Sequence, residues 1–214
     1  MSEDGHGFIE TSRLEGFSDG VFGVAMTLLG MDLKVPELNG SGHALGRSLL
    51  GLWPSYIALL VSFVTVLIMW MNHHAIFKYM RGANAAFAFV NGVLLLLVTI
   101  VPFSTALVAQ YLTSPEGGLV CALYAGLFVL INVTYNLLWR LAAKNRKLLK
   151  DEVSASAVRS VGRKLGIGLP GYVAATVVAL FSPLASLVLC CALWILWGRM
   201  AVEHFVPKQR VKLA

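Results

Sequence analysis

The chain has 214 residues, of which 57% are hydrophobic and 13% charged, and its mean hydropathy is +0.75. Such values lie outside the soluble globular range and indicate an all-α integral membrane protein. Its net charge of +6 comes with no basic surface interleaved with aromatic residues, so no nucleic-acid partner is expected.

A helix needs about 20 apolar residues to cross roughly 30 Å of hydrocarbon. Breaks at charge clusters and at Pro, Gly, Asn and Ser divide the chain into six such stretches, near residues 12–33, 48–72, 84–111, 119–142, 165–182 and 184–204. A short segment, 1–11, precedes them and a basic tail, 205–214, follows. The start "MSEDGHGFIE" has no basic n-region and no small-residue cleavage site, so the first stretch reads as retained. A five-span division stays open because the boundary of the fourth stretch is soft.

The first stretch begins "RLEGFSDG", with an arginine, a glutamate and an aspartate ahead of lipid-compatible sequence. Projected at about 100° per residue, Gly16, Gly20, Gly23, Thr27 and Gly30 fall within about 40° of one line, a small-residue stripe that admits another backbone. Beside it runs a bulky stripe of Phe17, Val24, Leu28 and Met31, and Asp19 projects roughly 140° from Val24. A charge at that depth must face protein or water, so its partner is expected on another helix. In a symmetric oligomer the bulky stripe can form an apolar ring on the axis; the plainer reading is core packing.

The second stretch runs into "WMNHHAIFK" and the third starts at "ANAAFAFVN". His73 or His74 and Asn91 are therefore expected at the depth of Asp19, as a polar network tying the first three helices. The network either fixes helix register or acts as a proton-sensitive switch, since a histidine beside a carboxylate can titrate near neutral pH. Adjacent on a helix, His73 and His74 point about 100° apart and make no paired metal site. Trp53, Tyr56, Tyr79 and Trp139 stand near helix ends and read as interface anchors.

Cys121, Cys190 and Cys191 form no disulfide framework and no CxxC pair, and read as small apolar residues. "GIGLPG" at 166–171 fits GxGxxG but lacks the strand and βαβ unit that such a fingerprint needs. It reads as a flexible, closely packed start to the fifth helix, with Pro170 near the first turn. "SPL" at 182–184 joins the last two stretches as a tight hairpin. No nucleophile and base pair, and no TVGYG loop, is present, so neither a catalytic site nor a carbonyl filter is expected.

Six spans with the N-terminus inside place Arg13, Lys78, Arg81, Arg140, Lys144, Arg146, Lys147, Lys150, Arg159, Arg163, Lys164, Arg199, Lys208, Arg210 and Lys212 on the cytoplasmic side. Only Lys34 and Arg47 remain outside. That asymmetry supports both the count and cytoplasmic termini.

The residues Arg13, Phe17, Ser18 and Asp19 read as R-x-x-x-F-S-D at the head of a first membrane helix. With "GVFGVAMTLL", the W-x-x-H-H of Trp70, His73 and His74, and "VPF" in the third stretch, the chain resembles the transmembrane protein 175 family, the potassium channels of lysosomes and their shorter bacterial relatives. The resemblance implies a homotetramer of six-helix units in the cell membrane, multi-pass, with permeant potassium ions and no cofactor. It also implies a central pore lined by first helices, whose constriction falls on Val24, Leu28 and Met31 and whose selectivity-linked threonine is Thr27. Valine stands at position 24 where the family generally has isoleucine or leucine, which implies a slightly wider ring. The family's structural polar network carries over to Arg13, Phe17, Ser18, Asp19, Trp70, His73, His74 and, by depth, Asn91. The rival reading is a proton-coupled secondary transporter or proton leak through Asp19, His73 and His74, for which neither discontinuous helices nor repeated halves are visible.

Overall fold

The computed structural model describes residues 9–31, 33, 35–36 and 44–205, with side chains through residue 199. Lys34, most of the expected N-terminal segment and nearly all of the basic tail, with Lys208, Arg210 and Lys212, lie outside the described residues.

Among the described residues there are seven α-helices: α1 (Thr11–Met31), α2 (Ala44–Gly51), α3 (Trp53–Tyr79), α4 (Ala85–Tyr111), α5 (Gly117–Lys144), α6 (Ala155–Ala179) and α7 (Pro183–Phe205). Three of them, α3, α4 and α5, are long and apolar enough to cross a membrane. Local chemistry sets several starts. Pro54 occupies the first turn of α3, where its missing N–H costs no helical bond. Asn84 caps α4 by accepting from the Phe87 amide at 2.9 Å, and Ser154 caps α6 by accepting from Ala157 at 3.2 Å.

The bundle centre is α3, α4 and α5, with Phe87, Leu94, Tyr124, Phe128 and Leu138 fully enclosed. The α6–α7 hairpin leans on α5 and α3, and α1 packs against α3 and α4. Much of the outer surface is apolar, including Leu60, Phe89, Leu96, Phe103, Leu123, Ile167, Val177, Phe181, Val188 and Ile195. A belt of that size is stable in hydrocarbon and not in water.

One end of the bundle is closed by a polar-backbone shelf. Ile9 and Ala83 exchange backbone hydrogen bonds of 2.7 and 3.0 Å, the Arg81 amide donates to Leu148 O, and the Lys150 amide donates to Tyr79 O. Leu148, Leu149 and Val153 bury their side chains beneath the same turn. The α3–α4 corner is thereby pinned by the lead into α1 on one side and by the α5–α6 linker on the other.

The helices depart from the hydropathy reading in four places. First, α3 persists to Tyr79, past the expected end at 72, because Ala75, Ile76 and Phe77 are buried beyond the histidines. Second, α6 begins at Ala155 rather than near 165, since Val161 and Leu165 face inward with Val158 half-buried while Arg159 and Arg163 point out. Third, Pro170 consequently lies well inside α6, and Gly168 is packed against Trp197 rather than opening a flexible turn. Fourth, Trp139 is only 2% exposed and donates its indole N–H to Val158 O at 3.0 Å, so it is a core residue and not an interface anchor.

Candidate functional site

The first helix is divided lengthwise. Ser18, Phe22, Ala25 and Leu29, spaced four, three and four apart, are buried against α3 and α4. The opposite side carries Phe17 (64% exposed), Val24 (57%), Leu28 (41%) and Met31 (77%), with Gly16, Gly20 and Thr27 also exposed.

On the buried side two polar systems hold α1. In one, the chemistry of each group fixes the direction of donation. His73 Nε2–H donates to Asn91 Oδ1 at 2.9 Å because an amide oxygen can only accept; Asn91 Nδ2 donates to Ser18 Oγ at 2.9 Å, and Ser18 donates to Leu14 O at 2.7 Å. Three helices are joined by this one chain. Its members are buried, and each such bond contributes about 0.5–1.5 kcal/mol net, whereas loss of one partner leaves the other exposed to a larger desolvation penalty.

The other system is a two-rung ladder between antiparallel helices. Trp70 Nε1 donates to Asp19 Oδ1 at 2.8 Å, and one turn along each helix His74 Nδ1 lies 2.5 Å from Glu15 Oε1. Residues 15 and 19 are four apart on α1, and 70 and 74 are four apart on α3, so each pair shares a face. The Trp70 and His74 rings stack at 6.0 Å, and His73 packs on Phe22 at 5.3 Å and on Phe77 at 4.5 Å. Aromatic surface thus shields both polar systems on their flanks.

Of the residues singled out from the sequence, Ser18, Asp19, Trp70, His73, His74 and Asn91 come together at this corner. Asp19 meets Trp70 rather than either histidine. Arg13 and Phe17 stand apart from the cluster in the protomer. Both are exposed, and Arg13 has no hydrogen bond or ion pair among the described residues; by projection it lies within about 20° of Val24, on the uncovered line. Glu15 was not anticipated. Its signal was present in the matching four-residue spacings of Glu15–Asp19 and Trp70–His74.

The small-residue stripe also falls on the uncovered side. A Cβ built at Gly16, Gly20, Gly23 or Gly30 meets nothing within 4 Å. Thr27 donates to Val24 O at 2.8 Å, which satisfies its hydrogen and leaves its oxygen lone pairs toward the open face. No group of three His, Cys, Asp or Glu side chains able to hold a metal gathers among the described residues.

These features match known proteins. The family profile described as endosomal/lysosomal potassium channel TMEM175 matches residues 13–102, which contain all but the first two residues of α1, the ladder and Asn91. A potassium channel of Chamaesiphon minutus is 42% identical over 185 residues, covering 86% of this chain and 91% of the relative. The crystal structure of a lysosomal potassium-selective channel TMEM175 homolog from Chamaesiphon minutus superposes with a TM-score of 0.79 at 39% identity, covering 89% of this chain and 97% of that one. The human endosomal/lysosomal proton channel TMEM175 is 30% identical over 123 residues, which span 54% of this chain and 24% of the human protein. The chain belongs to the TMEM175 family, whose members are ion channels and not enzymes.

Proposed function

We propose that this chain is one subunit of a homotetrameric, potassium-permeable cation channel of the cell membrane. In this reading each subunit crosses six times with both termini cytoplasmic, and passive flow follows a central pore lined by α1 from every subunit. The observation that carries the proposal is the division of α1 into a side clamped by buried polar groups and a side whose apolar residues have no cover in the protomer. A helix facing lipid needs no such clamp. A helix facing a pore must keep one rotation while its neighbours change.

Val24, Leu28 and Met31 then form stacked apolar rings, with Thr27 adding a hydroxyl layer between Val24 and Leu28. Apolar rings offer an ion nothing in exchange for its water, so passage is governed by pore width and the cost of dehydration. Potassium holds its hydration shell less tightly than sodium does, which gives such a constriction a physical basis for preferring it. The names of the bacterial relatives, which match across most of the chain, support potassium as the permeant ion.

Planar-bilayer recording tests the assignment. Val24→Asn is expected to change unitary conductance and to lower the potassium to sodium permeability ratio severalfold. Unaltered currents after substitution of Val24, Leu28 and Met31 in turn would take α1 out of the pore.

A second reading, proton passage through Asp19, His73 and His74, draws support from the name of the human relative. The bonding pattern favours it less. An asparagine amide separates His73 from Ser18 and cannot relay a proton, and Asp19 is engaged by an indole. Liposome acidification without a potassium gradient would establish proton passage instead.

A further inference from the structure

Away from α1, the helices α3, α5, α6 and α7 border a cavity of about 30 Å³ whose lining includes Asn72, Asn132, Tyr172 and Trp197 among apolar side chains. Asn72 and Trp197 are 4% and 7% exposed. Asn72 Nδ2 donates to Ile68 O at 2.8 Å and to Trp197 O at 3.3 Å. Those two carbonyls fix the orientation of the amide, since the reverse placement would set oxygen against oxygen. Asn72 Oδ1 is therefore held with its lone pairs toward the interior, and it meets no partner among the described residues. Trp197 Nε1–H likewise has no partner of hydrogen-bond geometry, and the Tyr172 hydroxyl is close enough to interact with it.

A buried acceptor and a buried donor thus border one space on adjacent side chains. Left without a partner, each carries a desolvation penalty that the hydrocarbon outside does not relieve. A cavity of this size has room for about two water molecules, at roughly 10–15 Å³ each. We propose that the cavity is a buried hydration site, in which one or two water molecules accept from Trp197 Nε1–H and donate to Asn72 Oδ1, joining α7 to α3. Water suits the pair because it is small and is both donor and acceptor. The direct Asn72 to Trp197 O bond closes the other side of the same junction, so the end of α7 is secured to α3 by one dry contact and one wet one.

The full-length protein in lipid nanodiscs, imaged at a resolution that shows ordered solvent, gives the direct test. Density within hydrogen-bond distance of both Asn72 Oδ1 and Trp197 Nε1 is expected. A cavity without density, or the two side chains bonded directly to each other, would overturn the proposal. Trp197→Phe keeps an aromatic ring while removing the donor. Because the smaller ring also gives up packing against Gly168, the readout is the solvent itself: density near Asn72 Oδ1 is expected to weaken or shift in the variant, and density left unchanged would overturn the assignment of Trp197 Nε1 as its donor. If this variant does not fold, the wild-type density still decides.

Discussion

Two helices of this protein carry rows of glycine, and the rows are used in opposite ways. On α6, a Cβ at Gly168 would lie 2.0 Å from Trp197 Cζ2, at Gly171 2.7 Å from Leu193 Cδ2, and at Gly162 3.4 Å from Trp139 Cδ1. On α1, Gly16, Gly20, Gly23 and Gly30 face open space. Glycine in a helix costs about 0.5–1 kcal/mol relative to alanine, so each row needs a reason. The α6 row has one inside the subunit, where it brings large aromatic and leucine side chains against the helix axis. The α1 row meets no such partner among the described residues, and in the proposed channel its reason lies on the side where a neighbouring subunit or the pore would stand. The same residue type, read only as a small-residue stripe, does not distinguish the two cases.

The contrast can be broken by adding one methyl group at a time. Gly168→Ala is expected to have the largest effect, at the upper end of about 1–3 kcal/mol or beyond, because a buried indole ring cannot yield 1 Å or more without disturbing α7. A melting temperature in detergent equal to that of the parent would show that Trp197 has room to move. Asn91→Leu tests the held side of α1 and leaves Ser18 and His73 buried without this partner. It should cost about 1–3 kcal/mol and lower the melting temperature of the assembled protein; full stability would mean that apolar packing alone positions the helix. Gly20→Ala should have the smallest effect on the subunit, with helical content unchanged or raised by a gain of up to about 1 kcal/mol. Its oligomer, however, is expected to be less populated when weighed by light scattering. An unaltered oligomer would remove the α1 row from contact between subunits.

Much of the fold follows from the chain because membrane helices announce themselves by length and composition. Their ends do not. Hydropathy stops at Asn72, but the helix continues for another two turns to Tyr79 because "HHAIFKY" turns histidine, alanine, isoleucine and phenylalanine inward. It likewise misses ten residues of α6, whose arginines lie on one face with valines on the other. The short α2 was absorbed into the second stretch, although a proline two residues into α3 marks the break. At the candidate site, face analysis separated Asp19 from Val24 correctly, since both lie on one helix and obey its period. Partner choice was another matter. Whether Asp19 meets Trp70 or His73 depends on the register between two helices, and no spacing within either helix sets that.

Among the described residues, the side-chain bonds that tie α1 to α3 and α4 include Glu15 to His74, Ser18 to Asn91 and Asp19 to Trp70, all between residues 15 and 19. Beyond that, from Phe22 to Leu29, the helix is held to the bundle by apolar contact. Mechanically α1 resembles a cantilever, anchored by directional bonds at its charged root and by apolar packing alone beyond it. Apolar contacts are non-directional and lose little on a small rotation, whereas the hydrogen bonds at the root break if they turn. In the proposed channel, a force on the far end would therefore displace Val24, Leu28 and Met31 about the root and change the width between facing helices while the bonds at the root stay in place.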